Sequence, residues 1–535
     1  MRPRSFDKRL ILLIVIAFAA GAAVMVVELA AARLLTPYFG QSVFVWTNVI
    51  GVILASIAAG NYLGGRLADA TRSLKPLFYV LALAGALCLA VPSIIGWVSH
   101  FFLGENLQLE EAFSLLVRGS FATTLLVFAP PVFLLGMALP FIVRQASEIY
   151  DGVGRASGSI YAASTVGSIT GTFLTTYLLV ELFGSKGTFY ASGLFLIALS
   201  GLGFVLFGRM KEKTVGSAIV LIGLCLGLLA PDKGFADSDS VLWERESRYQ
   251  YIRVVQKDDD ESLHLCINEG LDSFHSIFRK DEILTGGQYY DYYSLLPGLA
   301  GMENPGDVCI IGLAAGTIAR QYAHFFGPGG NLSIDGVEID AEVIRAGYDH
   351  MDLALADPWL TVYSDVDGRM FLDRSSARYD VIVVDAYSQQ IYIPFHLATV
   401  EFFCLLHDHL KEGGIFGINL SGFSRDEPVI AAITNTAAKV FDTVSLARIP
   451  DGRNFMLFAV KGIDHVAPAT IDPLTLPPSL RPLLGKIAAF GLTRPMVFDA
   501  ARQLLTDNRA PLELMSDRVL MARSNRLVES ISENR

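Results

Sequence analysis

Asp307-Val308-Cys309-Ile310-Ile311-Gly312-Leu313-Ala314-Ala315-Gly316-Thr317 is the stretch on which the reading of this chain turns. Four consecutive apolar residues predict a buried strand, and a helical pattern begins near Thr317. The glycine-punctuated turn between them would present backbone N–H groups at a helix N-terminus. Alone this is a weak signal, because glycine turns also end strands for purely geometric reasons. Three later features strengthen it: Val337-Glu338-Ile339-Asp340 at the end of a second strand, Asp367-Gly368 after a third, and Asp385 at the tip of a fourth, Asp380-Val381-Ile382-Val383-Val384. Glu338 lies 26 residues after Gly312, where a doubly wound fold places the carboxylate that accepts from ribose hydroxyls. Gly368 would let backbone approach an adenine, and Asp367 would accept from its amino group. Four strand tips then converge on one crevice for an adenosine-type ligand.

Outward from this core, the predicted strands 308–312, 332–339, 380–385 and 414–420 alternate with helical segments, the pattern of a parallel sheet covered on both faces. Before it, residues 241–280 alternate in Tyr251-Ile252-Arg253-Val254-Val255 and Leu263-His264-Leu265-Cys266-Ile267, with a turn at Asn268-Glu269-Gly270, and predict a small β-subdomain.

The first half is of another kind. The chain is 52% hydrophobic with mean hydropathy +0.45, beyond an ordinary soluble enzyme, so part of it is expected in a membrane. Apolar runs at about 10–35, 43–65, 76–98, 119–143, 158–183, 187–208 and 215–230 give about seven candidate spans. The first is too long, and too closely followed by the next, for a cleaved signal peptide. Arg2, Arg4, Lys8 and Arg9 precede it and basic residues fill alternate loops, so the N-terminus is expected in the cytoplasm of a multi-pass cell (inner) membrane protein. Seven full crossings would put everything after residue 231 outside. The last run, with roughly 16 strongly apolar residues, also fits an interfacial or re-entrant segment, which favours a cytoplasmic catalytic domain without settling its side. Gly60-x-x-x-Gly64 and Gly167-x-x-x-Gly171 offer faces for close helix packing, and Pro130, Pro131 and Pro140 are expected to bend the fourth span. Glu28, Arg33, Asn48 and Asn61 are costly in lipid and so face protein or water, as buried structural pairs or along a polar path.

The expected fold is thus an N-terminal multi-span α-helical membrane domain (1–231), a small β-rich subdomain (241–300), an α/β doubly wound, Rossmann-like, methyltransferase-type nucleotide-binding domain (301–465) and a helical tail (466–535). Residues 1–231 hold 15 Lys and Arg against 10 Asp and Glu, so the whole chain's net −11 leaves −16 on the rest. That balance disfavours nucleic acid and suits cationic small molecules. The five cysteines (Cys88, Cys225, Cys266, Cys309, Cys404) are scattered without a C-x-x-C pair, so neither a disulfide framework nor a metal site is expected.

The segment from about 245 to 420, a third of the chain, resembles the spermidine synthase family of aminopropyltransferases. The resemblance is carried by Tyr249-Gln250-Tyr251-Ile252, Leu271-Asp272-Ser273, Asp281-Glu282, Tyr289 through Pro297, the glycine turn, Val337 through Asp340, Asp367-Gly368, Tyr379 through Ser388, and Ile393-Pro394. It implies that Gln250, Glu338, Asp367 and Gly368, with Gly312 and Gly316 in the turn, hold the methylthioadenosine part of a nucleotide donor, that Pro394 packs near it, and that Asp385 is the catalytic base. No tightly bound cofactor is implied; S-adenosylmethionine or its decarboxylated form is the expected co-substrate. An amine must be neutral to attack the carbon beside a sulfonium, and a carboxylate that takes its proton lowers the barrier. Three positions depart from the family: Ala315 and Ser388 stand where it carries acidic residues, and Tyr290 where it carries histidine. Tyr290, Asp291, Tyr387, Ser388 and Gln389 are the expected amine-side residues, with aromatic faces available to a cation.

Aminopropyl transfer to a small-molecule amine is therefore the leading expectation. The missing acidic residues motivate a second reading, a lyase in which the carboxylate of intact S-adenosylmethionine attacks intramolecularly to give homoserine lactone. A nucleotide-gated transporter or sensor is a third, and methyl transfer a weaker fourth. The lipid bilayer is an expected partner, and a homodimer is expected by family analogy alone. The Leu505-Thr506-Asp507-Asn508-Arg509-Ala510-Pro511 stretch reads as a plain surface segment rather than a fold-back over the catalytic domain.

Overall fold

The computed structural model describes residues 8–40, 42–71, 73–103, 109–149, 153–207, 214, 218, 221, 240–257, 262–268, 274–328, 330–387, 392–450, 453–463, 471–490 and 495–533. The chain divides into two compact units, Met1–Asp237 and Ser238–Arg535.

The first unit is helical: α1 (Lys8–Phe39), α2 (Val43–Ala70), α3 (Lys75–Leu103), α4 (Leu109–Thr123), α5 (Ala129–Ser147), α6 (Val153–Leu174) and α7 (Val180–Phe207). Five continuous helical stretches are long and apolar enough to cross a membrane: Arg9–Phe39, Val43–Ala70, Lys75–Phe102, Leu116–Ser147 and Val153–Phe207. The last is broken at Gly184, whose φ of 66° leaves the helical region, so six of the seven expected runs are present as separate rods. The seventh, 215–230, falls almost wholly outside the described residues. Where the prolines were expected to bend the fourth rod, a π-helical turn, Thr124–Phe128, runs into Ala129-Pro130-Pro131. Prolines have no N–H for the carbonyls one turn back, and a wider turn accommodates the interrupted ladder.

The small residues pack the rods at backbone contact. A Cβ on Gly167 would lie 2.0 Å from the Phe18 carbonyl oxygen, and one on Gly171 2.5 Å from that of Ala22, so α1 and α6 run parallel. Gly60 and Gly64 meet Phe133 and Met137 in the same sense, making α2 and α5 a second parallel pair. Asn48 is tied to a neighbouring rod: its Nδ2 donates to the Val117 carbonyl (2.8 Å) and to Ser120 Oγ (2.9 Å), the structural pairing that an apolar environment favours.

The second unit has two sheets. Strands β1 (Val241–Glu246), β2 (Tyr251–Gln256), β3 (Leu263–Ile267) and β4 (Ser276–Phe278) form the expected small antiparallel sheet. The large sheet contains β5 (Asp307–Ile311), β6 (Ser333–Glu338), β7 (Leu360–Ser364), β8 (Tyr379–Val384), β9 (Leu410–Ser421), β10 (Thr443–Arg448), β11 (Asn454–Val460) and β12 (Met496–Val497), in the order β12-β10-β11-β9-β8-β5-β6-β7. The pairs β9/β8, β8/β5, β5/β6 and β6/β7 are parallel and the rest antiparallel. Alternate residues of one apolar run supply opposite cores: Val308, Ile310, Val381 and Val383 on one face, Cys309, Ile311, Ile382 and Val384 on the other. From β5 the chain winds outward through β6 and β7, then returns to place β8 on the opposite side. This reversal opens a crevice beyond the carboxyl ends of β5, β6 and β8.

Two expectations are corrected. The tail is no separate domain, since Leu476, Leu480, Leu483, Leu484 and Ile487 join one core of the large sheet, and β12 extends that sheet. The Leu505–Pro511 stretch does fold back: Leu505 is fully buried, its N–H donates to Thr436 Oγ1 and its carbonyl accepts from the Val400 N–H. An apolar side chain with a core slot and paired backbone outweighs the polar residues around it.

Gly167→Ile is expected to force α1 and α6 apart and to lower detergent-phase stability by about 1–3 kcal/mol, the usual cost of overpacking. Gly51→Ala, with nothing within 4 Å of the new Cβ, is its neutral or stabilising control. Thermal unfolding of the two variants side by side checks this, and equal melting temperatures would contradict the close pairing.

Candidate active site

Hydrogen bonding begins the site at the end of β5. Asp385 N–H donates to the Ile311 carbonyl (2.8 Å), continuing the β5/β8 ladder one step past the strand. Gly312 turns away at φ 85°, and a Cβ there would fall 2.5 Å from the Asp385 carbonyl oxygen, so only glycine fits. Gly312 and Leu313 N–H groups both donate to the Val337 carbonyl, at 2.9 and 3.0 Å, which ties the turn to β6. Gly316, also at positive φ, packs against Leu353 and precedes helix Thr317–Phe326.

Glu338 ends β6, nearly buried. Its Oε2 accepts from Ala314 N–H (2.9 Å) and its Oε1 from Asp340 N–H (3.2 Å), leaving lone pairs on both oxygens. Burial pushes its pKa up to about 7, against the opposing pull of the amides of Ala314, Asp340 and Ile339. Gln250, between β1 and β2, lies at the same corner, where it favours the ionised form of Asp340.

Asp367 caps helix Gly368–Arg374: Oδ1 accepts from the Arg369 and Met370 N–H groups, both at 3.0 Å. Its Oδ2 lies 2.9 Å from His396 Nε2. The His396 hydrogen bond is the main reason its pKa is held below the ordinary carboxylate value. Gly368 is fixed by packing, since a Cβ would lie 2.2 Å from Ile311 Cγ2. Pro394, half-buried, opens the 3-10 turn Phe395–Leu397 that carries His396.

Asp385 stands at the centre. Tyr289 Oη donates to its Oδ2 (3.2 Å), while Oδ1 is buried without a hydrogen bond of normal geometry. Burial pushes its pKa up to about 7, although Tyr289, Asn419 and Tyr293 each favour the charged form. A carboxyl so poised exchanges protons near neutrality, as a general base requires.

The aromatic run Tyr289–Tyr293 forms a short helix beside it. Tyr290 is buried against Tyr289, ring centroids 4.0 Å apart, and its hydroxyl donates to the Phe274 carbonyl. Tyr293 Oη donates to the Val384 carbonyl and accepts from Asn419 N–H. Tyr387 Oη donates to the Asn419 carbonyl (2.6 Å) and accepts from Ser421 N–H. The tyrosines thus offer ring faces more than free hydroxyls.

Asp291 is not an amine ligand here. It is fully buried, and its oxygens accept from Thr285 N–H, Thr285 Oγ1, Gly287 N–H and Gln321 Nε2, all at 2.7–2.8 Å. Those donors compensate the buried charge and pin the 285–291 turn. Ala315 is likewise fully buried, in the core shared with Ile252, Val254 and Phe278, so an acidic side chain there would enter apolar packing. Ser388, Gln389 and Leu271-Asp272-Ser273 lie outside the described residues. Sequence reasoning did not single out Tyr289, Tyr293, Asn419 or His396. The dense aromatic run was a usable signal for the first two; Asn419 lies unmarked inside a strand. No group of three or more potential metal ligands occurs among the described residues.

The family pattern described as Spermine/spermidine synthase domain matches residues 292–467. A probable polyamine aminopropyl transferase from Bifidobacterium longum is 34% identical over 262 residues, covering 48% of this chain and 56% of that protein. A polyamine aminopropyltransferase from Oceanobacillus iheyensis is 26% identical over 299 residues, covering 52% of this chain and 55% of that protein. The chain therefore spans about half the length of these curated relatives. Among solved structures, spermidine synthase from Thermotoga maritima aligns over 51% of this chain and 87% of its own at 21% identity and a TM-score of 0.34. The strand-tip carboxylates, the glycine turn and the family pattern fall on one sheet, and residues 292–467 match the Spermine/spermidine synthase domain.

Proposed function

We propose that this protein is a membrane-anchored polyamine aminopropyltransferase that moves the three-carbon aminopropyl group of decarboxylated S-adenosylmethionine to an amine and releases methylthioadenosine. The observation that carries this reading is Asp385, a carboxyl with its pKa raised to about 7, set against tyrosine faces and one peptide step from the glycine turn that approaches Glu338. The nucleoside lies along Glu338, the glycine turn and Asp367; the turn amides themselves are taken up within the protein. The amine nitrogen attacks the methylene carbon next to the sulfonium, a C–N bond forms as the C–S bond breaks, and the electron pair of the broken bond leaves on sulfur as a neutral thioether. The proton shed by nitrogen passes to the Asp385 carboxylate and on to solvent. The ring faces of Tyr289 and Tyr387 suit a cationic acceptor.

Six crossings would return the chain to the side from which α1 starts if the short 215–230 run lies in the interface instead of crossing. With a cytoplasmic N-terminus this favours a catalytic unit on the cytoplasmic face, where the nucleotide donor and polyamines are made.

Mass spectrometry of products tests the proposal: detergent-purified protein is incubated with S-adenosylmethionine or its decarboxylated form, each with and without putrescine. Methylthioadenosine and spermidine appearing only with decarboxylated donor plus amine is the expected result. Methylthioadenosine from intact donor without amine would overturn it in favour of lyase chemistry.

Asp385→Asn is expected to abolish turnover while leaving methylthioadenosine affinity within a few-fold, measured by calorimetry. Tyr289→Phe removes a hydrogen bond that favours the ionised carboxylate, so the acid limb of the pH–rate profile should move upward by about one unit. Stability supplies another check. Folding raises the pKa of Asp385 from 3.8, and of Glu338 from 4.5, to about 7, so the folded state holds protons that the unfolded chain has already lost. Their contribution is full below the unfolded values and is lost as pH rises through about 7. Asp385→Asn should therefore gain in melting temperature relative to the wild type between about pH 5 and pH 8. A constant difference would show that Asp385 is not desolvated.

A further inference from the structure

The second unit's C-terminal segment reaches the nucleoside side of the crevice through a route that the proposed chemistry does not use. Asp507 accepts a bidentate pair from Arg369, Nη1 to Oδ1 at 2.7 Å and Nη2 to Oδ2 at 2.6 Å, and a further bond from Thr399 Oγ1 at 2.8 Å. Its own N–H donates to Glu401 Oε2 (3.1 Å), and the turn is closed by the reciprocal bridge between Thr506 and Arg509. Leu505, fully buried two residues before, anchors this turn in the core.

Arg369 is the residue through which this arrangement touches Asp367. Its N–H caps onto Asp367 Oδ1, and its Nη1 also donates to the His396 carbonyl at 3.0 Å. His396 in turn places Nε2 on Asp367 Oδ2. One guanidinium thereby cross-links the helix that begins at Gly368 to the Pro394–Leu397 turn, the two walls that flank Asp367. A flexible arginine would not hold both walls by itself, because ordering its side chain costs rotamer entropy. The planar fork on Asp507 fixes its orientation. The pair is 24% and 39% exposed, so its direct contribution to stability is small and its effect is geometric.

We infer that Asp507 and Arg369 are positioning residues for the nucleoside subsite, holding Asp367 and His396 in register from a segment well over a hundred residues further along the chain. This rests on the proposed function for the identity of the nucleoside. Asp385 has separate anchors, the Ile311 carbonyl and Tyr289, so the clamp acts on donor binding and not on the chemical step.

The test uses the full chain with methylthioadenosine as calorimetric probe and steady-state kinetics with decarboxylated donor and putrescine. Asp507→Asn and Arg369→Lys are each expected to weaken methylthioadenosine about 5–20-fold and to raise the donor KM similarly with kcat within about two-fold, the double variant losing no more than either single one. Equal losses in kcat and affinity, or additive losses, would reduce the pair to a general structural role and overturn the inference. Should Asp507→Asn fail to fold, salt gives a second reading: the probe is uncharged, so wild-type affinity should fall between about 0.05 and 0.5 M salt as the half-exposed pair is screened, and Arg369→Lys should lose most of that dependence. A salt-independent wild-type affinity would overturn it too. Asp367→Ala separates the two levels. If it leaves methylthioadenosine affinity unchanged, the nucleoside assignment itself fails; if it weakens binding while Asp507→Asn does not, only the clamp fails.

Discussion

Everything at the site depends on the contact between Gly312, which has no side chain, and the tip of the neighbouring strand. The peptide of Asp385 lies so close to Gly312 that no Cβ fits between them, and the left-handed φ at Gly312 sends the following amides toward β6. Without that approach the β5/β8 ladder would end one bond earlier and the carboxyl would swing free of its tyrosine neighbour. The turn would also lose its two bonds to the Val337 carbonyl, and with them its hold on Glu338. The crevice is thus an extension of sheet hydrogen bonding. Its residues inherit the rigidity of fully buried parallel strands, a firmer support than surface loops would give.

Three carboxylates around this crevice have been given different protonation behaviour by different surroundings. Asp367 sits at a helix N-terminus with two amides and an imidazole, and stays ionised. Around Glu338 and Asp385 burial outweighs the donors that favour the charged form, so both titrate near neutrality. Unlike environments acting on like side chains are how a fold assigns one carboxyl to recognition and another to proton transfer. The buried Asp291, by contrast, has its lone pairs so filled that it does neither; it is part of the scaffold.

The central parallel strands β5 and β8 were readable because they are buried on both faces and therefore appear as unbroken apolar runs such as Val381–Val384. The four tip residues could be read because polar or glycine residues directly after such runs have few structural uses. The tail was harder. The β10–β11 hairpin does carry a turn signal, Pro450-Asp451-Gly452, that the sequence reading passed over, while β12 is too short for any periodicity to register. Leu505 is a single apolar residue in a polar context, and nothing local reveals that Thr436 and Val400, distant in sequence, complete its backbone bonds. Asp291 was misassigned because a carboxylate within an aromatic run has the composition of an amine site. Only the folded turn shows four protein donors reaching it first. His396 and Arg369 were invisible for a related reason: their meaning lies in pairings across 29 and 138 residues.

The burial of Leu505 also sets a schedule for making the protein. A ribosome releases the chain from the N-terminus, and domains ordinarily fold as they emerge. Here the helices of the first unit and all the parallel strands are synthesised before the residue that closes the core beside Thr436 exists. Until Leu505 emerges the large sheet stands with one core slot open, the kind of exposed apolar surface that nascent chains must be guarded from. A sheet that waits for Leu505 to complete its core has its most aggregation-prone interval late in translation.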